Sequence, residues 1–244
     1  MTIDGYCVLG HDREYDLTVK ELIRAMDLTE VAQAVIAPID RFLAVDNRAG
    51  NDFILEAASN HRSRLIPSCS ANPWFGTQAV QELERAIGEG ARMLVLHPFI
   101  QGYQTNDELV WPVIDVAALA RIPVYIHTGQ PGNSTPWQVV DLADRYRDVD
   151  FIMGHCGATD FWNDVISAGK AATNVYLESS LARPFNFATY LQNLGKSKGI
   201  MGSFVPLNDL NFEWTQMRQL LPPEEWCGVY GENLNRLLVK RGAL

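Results

Sequence analysis

Eight short β-rich runs, "TIDGYCV", "AQAVIAPI", "RLIPSCSA", "ARMLVLHP", "PVYIHTG", "FIMGHCG", "NVYLESS" and "GIMGSFVP", recur along the chain from one end to the other. Between them lie segments such as "TVKELIRAMD", "GTQAVQELERAIGEGA" and "TPWQVVDLADRYRD", whose apolar residues return every three or four positions with charge on the opposite face. Such segments are helices that lay one face on a buried sheet. Strict alternation of strand and helix makes the strands parallel. Eight units within 244 residues is the count that closes a (β/α)8 barrel, with an open doubly wound sheet as the alternative. At 47% hydrophobic residues the chain can fill one large core, and no linker, low-complexity tract, charge block or internal sequence repeat divides it. The expected architecture is α/β, a single-domain barrel over residues 1–244.

Charge and cysteine usage exclude several functions. A net charge of −9 with both signs mixed along the sequence leaves no basic stripe for a phosphate backbone, so nucleic acid is not an expected partner. Cys7, Cys69, Cys156 and Cys227 stand far apart and form none of the close pairs of zinc ribbons or thioredoxin-like motifs. They fit a reducing compartment. No signal-peptide pattern opens the chain and no apolar run approaches the roughly 20 residues that span a bilayer, so the expectation is a cytoplasmic protein without a membrane partner. Dinucleotide, P-loop and serine-hydrolase motifs are absent from the sequence.

In such a barrel, chemistry sits where strands end at the C-terminal face. Alternation of side chains places Tyr125 and His127 on one face of the fifth run, Met153 and His155 on one face of the sixth, and Tyr176, Glu178 and Ser180 on one face of the seventh. If these faces look inward, His127, His155 and Glu178 meet in the barrel mouth. His97 closes the fourth run in "LVLHP", so three adjacent strands end in histidine. Strands lie about 4.8 Å apart, near enough for His97, His127 and His155 to converge on one ion or one substrate. The other reading is that they are core histidines bonded to their surroundings. Asp4, two before Tyr6, is expected to face the same way and to orient a substrate with it, or to make a buried structural hydrogen bond. Arg41 and Arg183, on loops after the second and seventh runs, are candidate clamps for a carboxylate, with surface ion pairs as the alternative. Phe42, Trp74, Phe75, Tyr103, Trp137, Phe161, Trp162, Phe185 and Phe187 would line a pocket or bury a subunit interface.

"TIDGYCVLG", "VLHPFIQGYQTND", "PVYIHTG", "IMGHCG", "VYLESS", "MGSFVP" and "YGENLNRLL" resemble, in order and spacing, the landmarks of the amidohydrolase-2 branch of the amidohydrolase superfamily. The resemblance covers nearly the whole chain and implies a TIM barrel that hydrolyses, decarboxylates or hydrates small carboxylates and aromatic acids around one zinc or manganese ion. It puts His127 where the family has a metal ligand and His155 where a histidine positions or deprotonates the attacking water. It also shows departures. Tyr6 and Val8 stand where the family has the two ligand histidines of its first strand, Phe204 where it has a ligand aspartate, and Val95 where it often has a lysine. No metal is expected in the inherited position, because a catalytic zinc takes about three protein ligands plus water. If one is present, His97, His127 and His155 are the remaining set.

Two functions follow as expectations. One is a small-molecule hydrolase, decarboxylase or lyase working without the usual metal, with His127 and His155 in acid–base roles assisted by Glu178 or Tyr6, and with His97, Arg41, Arg183, Asp4 and Phe204 around a small organic acid. The other is an inactive paralogue that binds a ligand or forms a hetero-oligomer with an intact family member, homo-oligomers being equally open. Convergence of titratable groups on one pocket would favour the first, and a mouth plugged by Phe204 and Tyr6 the second.

Overall fold

A computed structural model of the chain describes residues 1–13, 15–158 and 160–239. In chain order the elements are β1 (Ile3–His11), β2 (Asp16–Leu17), α1 (Val19–Thr29), β3 (Gln33–Pro38), α2 (Asp40–Ala44), α3 (Asn47–Asn60), β4 (Leu65–Pro67), β5 (Cys69–Ser70) and α4 (Thr77–Gly88). They continue with β6 (Leu94–Leu96), α5 (Pro98–Gln101), α6 (Trp111–Ala120), β7 (Val124–His127), α7 (Pro136–Arg145), β8 (Phe151–Gly154) and α8 (Val165–Ala171). The chain then forms β9 (Val175–Glu178), α9 (Pro184–Leu194), β10 (Gly199–Ile200), α10 (Leu210–Leu220), α11 (Pro223–Trp226) and α12 (Asn233–Leu238). Helix starts follow local chemistry. Thr18 with Glu21, and Thr135 with Gln138, form capping boxes before α1 and α7, and Asp209 caps α10.

The parallel strands form a ring. β1 pairs with β3 and β3 with β4, while β5 pairs with β6 and β6 through β10 follow in order. β4 and β5 act as one strand that changes partner at Ser68, whose N–H and hydroxyl both donate to Ile36 O while Cys69 N donates to Met93 O. The last gap closes through backbone bonds from Gly5 N to Met201 O (2.8 Å), Val8 N to Val205 O (2.8 Å) and Phe204 N to Tyr6 O (2.9 Å). The result is the (β/α)8 barrel that the alternation predicts. Among the described residues no helix is long and apolar enough to cross a membrane.

Two apolar layers flank the strands. Tyr6, Val8, Val35, Val95, Tyr125, Ile152, Ile200 and Phe204 fill the inside, whereas Cys7, Leu9, Ile36, Leu94, Ile126, Met153 and Leu177 face the helices. One irregularity decides which way Asp4 points. The β1–β3 register shifts between Asp4 and Cys7, a bulge that breaks the period of two. Tyr6 consequently faces inward while Asp4, 0% exposed, bonds toward the helix layer. Its carboxylate accepts from Tyr6 N (3.2 Å), Ser203 N (3.0 Å) and the Trp214 indole N–H on α10 (2.8 Å). The expectation that Asp4 shares a face with Tyr6 and meets substrate is corrected: Asp4 is a structural acceptor that ties the first strand to the eighth and to α10. Burial raises its pKa, and these three donors pull it back down. Replacing Trp214 with Phe removes one donor from a buried carboxyl group, and the unfolding free energy from urea titration is expected to fall by about 1–3 kcal/mol.

Candidate active site at the barrel mouth

Each inward polar group comes from the end of a strand. On β7, Val124 and Ile126 pack outward, which leaves Tyr125 and His127 inside. On β9, Leu177 packs outward and Glu178 turns in, with Ser180 just beyond. Two glycines make room: a Cβ on Gly154 would lie 2.5 Å from the Tyr125 hydroxyl, and one on Gly202 would lie 2.1 Å from Glu178 Oε1. His155 arrives differently. Met153 faces the helices, so alternation alone would send His155 outward with it. His155 instead takes φ 64°, which re-aims its ring into the barrel.

These residues form one continuous hydrogen-bonded chain. Tyr6 Oη lies 2.7 Å from His127 Nε2, His127 Nδ1 lies 2.8 Å from His155 Nε2, and His155 Nδ1 lies 2.7 Å from Ser180 Oγ. Ser180 Oγ donates to Glu178 Oε2 at 2.7 Å. Glu178 also accepts from the Tyr125 hydroxyl (2.7 Å), His155 N (3.2 Å) and Ser180 N (2.7 Å). A neutral imidazole has one donor and one acceptor nitrogen. With Glu178 ionised the directions are therefore forced: Tyr6 donates to His127, His127 to His155, His155 to Ser180 and Ser180 to Glu178. All four ring nitrogens of the two histidines are committed inside the protein.

The chain is roofed by aromatic rings. Tyr6 stacks on Tyr125 at 4.4 Å, and Phe204 lies 4.8 Å from His155 and 5.4 Å from Tyr6. Tyr6 is 0% exposed, His127 and His155 3%, and Phe204 8%. His97 stacks on His127 at 4.0 Å with 17° between the planes, and its buried Nδ1 has no hydrogen-bond partner among the described residues. Phe204 holds φ 58°, a conformation that is costly for a side chain of this size.

The structure thus brings together Tyr6, His97, His127, His155, Glu178 and Phe204, and leaves the other candidates elsewhere. Arg41, on α2, places its guanidinium over Phe42 at 5.0 Å. Arg183 lines a separate recess beside the mouth. Of the loop aromatics, Tyr103 and Phe187 are buried, whereas Trp74, Phe75, Trp137, Trp162 and Phe185 remain exposed. The sequence reading does not single out Ser180 and Tyr125 as site residues, although their period-two spacing from Glu178 and His127 carried the signal.

These residues do not fit a divalent ion. Two nitrogens on one tetrahedral zinc stand about 3.3 Å apart, given bonds of about 2.0–2.1 Å. His127 and His155 approach to 2.8 Å in a direct hydrogen bond, and His97 presents its ring face to His127. The set of His97, His127 and His155 does not offer converging lone pairs, and among the described residues no three His, Cys, Asp or Glu side chains gather to hold a metal.

Burial keeps the rings neutral. It pushes His155 down to about 3 and His97 to about 4, and His127 well below the usual range, where His97 and His155 add like-charge repulsion. Burial also raises Glu178 against the pull of its donors, and lifts Tyr6 and Tyr125 well above 10. Unfolded histidines titrate near about 6.5, so below that pH the unfolded chain takes up protons that the folded rings refuse, and stability falls as pH falls. Glu178, Asp4 and Glu213, the last pushed up to about 7 by burial, act with opposite sign, since the folded state holds their protons at a higher pH than the unfolded chain does. The histidine contribution is read by difference: between about pH 6.5 and pH 5 the urea midpoint of the wild type is expected to lose more than that of His97→Asn. Wild-type and variant midpoints that run parallel over this range would contradict neutral burial of His97.

Comparison with known proteins agrees with this architecture. No curated protein matches the chain in sequence. Among solved structures, 5-carboxyvanillate decarboxylase of Novosphingobium aromaticivorans, with bound manganese and a nitrobenzoic acid, superposes with a TM-score of 0.80 at 14% identity, covering 98% of this chain and 97% of that one. 2,6-Dihydroxybenzoate decarboxylase from Rhizobium gives 0.75 at 12% identity, covering 97% and 98%. An uncharacterized TIM-barrel protein of Bordetella bronchiseptica gives 0.70 at 17%, covering 91% and 82%. At these identities the likeness is one of fold. The family model described as Amidohydrolase (Amidohydro_2) matches residues 14–220, and the chain belongs to that family.

Proposed function

We propose that this chain is a small-acid-binding member of the amidohydrolase family whose inherited centre is catalytically silent. One observation carries the reading: the chain from Tyr6 through His127, His155 and Ser180 to Glu178 is satisfied within itself and roofed by Phe204. A general base must come within hydrogen-bond reach of the proton it takes, and here both histidines have spent their nitrogens on protein partners. A dication placed among Tyr6, Val8 and Phe204 would lose its hydration without compensating ligands. Small-acid binding is supported by the solved neighbours named as decarboxylases of aromatic carboxylates, and loss of a metal centre does not by itself remove a binding cleft.

A second reading has its own support. The one-way hydrogen-bond chain could pass a proton from Tyr6 to Glu178 in four short transfers and leave a phenolate as base, provided that Phe204 swings aside. A metal-independent lyase would work in this way.

Assays of carbon dioxide release from 5-carboxyvanillate and 2,6-dihydroxybenzoate, with and without added manganese or zinc, separate the two. No turnover above the heat-treated control is expected, and elemental analysis after dialysis should find less than one equivalent of metal. Turnover that disappears in His127→Ala would establish the lyase. A full equivalent of tightly held metal, lost in the same variant, would overturn the metal-free centre.

A further inference from the structure

We infer that the acid-binding site is a recess off the barrel axis, between the loop after β8 and the start of α9, and that it takes a planar, single-ring organic anion. This assignment rests on the small-acid reading above, but it places binding away from the inherited centre. The recess has a volume of about 160 Å³, and its lining includes Ala158, Trp162, Leu181, Arg183, Asn186 and Tyr190. An engineered apolar cavity of about 150 Å³ accepts benzene, so one aromatic ring is the right size.

Its walls carry the matching chemistry. Arg183 has no ion-pair or side-chain hydrogen-bond partner among the described residues, which leaves its planar guanidinium free for a carboxylate. Asn186, three residues on and therefore on the same side of α9, lies beside the Tyr190 hydroxyl and offers an amide. Trp162 is 47% exposed and supplies an indole surface for stacking. Its loop is fixed to α9 by the bond from Tyr190 Oη to Trp162 O at 3.1 Å, so the two walls hold their spacing.

The backbone adds an independent observation. Ala158 and Leu181, both in the recess lining, hold φ of 45° and 58°. Non-glycine residues in the left-handed region persist only where their surroundings over-determine them, and such outliers gather at ligand clamps. Two other non-glycine residues of this kind, Glu30 and Arg121, are ordinary helix C-caps. Ala158 closes the short 3-10 turn His155–Gly157, whereas Leu181 caps no helix.

Isothermal titration with benzoate tests the assignment, using the full chain and the variants Arg183→Gln, Trp162→Ala and Tyr6→Phe. Wild type is expected to bind benzoate, more weakly as salt is raised because Arg183 is solvent-facing. Arg183→Gln should weaken binding about tenfold or more, the loss of one charge-assisted hydrogen bond, and Trp162→Ala should weaken it too. Tyr6→Phe should leave it unchanged, and benzyl alcohol, which lacks the charge, should bind no better to wild type than benzoate does to Arg183→Gln. Benzoate binding that survives Arg183→Gln, or that Tyr6→Phe weakens instead, overturns this site while sparing the small-acid reading. Absence of binding by benzoate, 4-hydroxybenzoate and 2,6-dihydroxybenzoate alike overturns the small-acid reading itself.

Discussion

A carboxylate with no contact to water has to be surrounded by donors or give up its charge, and the inside of this barrel is organised around that requirement at Glu178. Four hydrogen bonds reach it, from Tyr125, Ser180 Oγ, Ser180 N and His155 N. Each fixes something else. The bond to Tyr125 holds the ring on which Tyr6 stacks, and the bond to His155 N accompanies the left-handed turn that swings the imidazole inward. Ser180 passes the polarity of the carboxylate to His155, and so to His127 and Tyr6. Glycine at 154 and 202 is required because any Cβ would strike Tyr125 or Glu178.

Much of this was legible in the sequence because it follows from period and count. Eight runs of strand-like residues with amphipathic helices between them leave little besides a barrel, and the ends of β7 and β9 placed His127 and Glu178 by simple alternation. Where the backbone departs from the regular strand, the sequence was silent. The bulge between Asp4 and Cys7 reverses which residues of β1 face inward, and nothing in "IDGYC" announces it beyond a glycine. Alternation places His155 inside only as a companion of Met153, which in fact faces the helices. Arg41 and Arg183 were indistinguishable as loop arginines. Only the fold separates one lying over Phe42 from one facing a recess.

The inner lining of the mouth is largely apolar. Tyr6, Val8, Val95 and Phe204 all belong to the inner apolar cluster. Together they give the barrel mouth dispersion contact and ring stacking, and the histidines beside them bond to one another. Function has to be read from the site and not from the barrel.

Asp4 has a consequence that concerns time and not structure. Its partners Ser203 and Trp214 lie 199 and 210 residues further along the chain. While the polypeptide is being synthesised, β1 can pair with β3 early and with β2 at Gly10 and His11, but the rest of its other edge stays open until residues 201–205 and then α10 have been made. An unpaired parallel edge is a template for foreign strands, and contacts of such long sequence separation form slowly. The carboxylate that seals the barrel thus leaves the nascent chain dependent on protection of its first strand until α10 arrives.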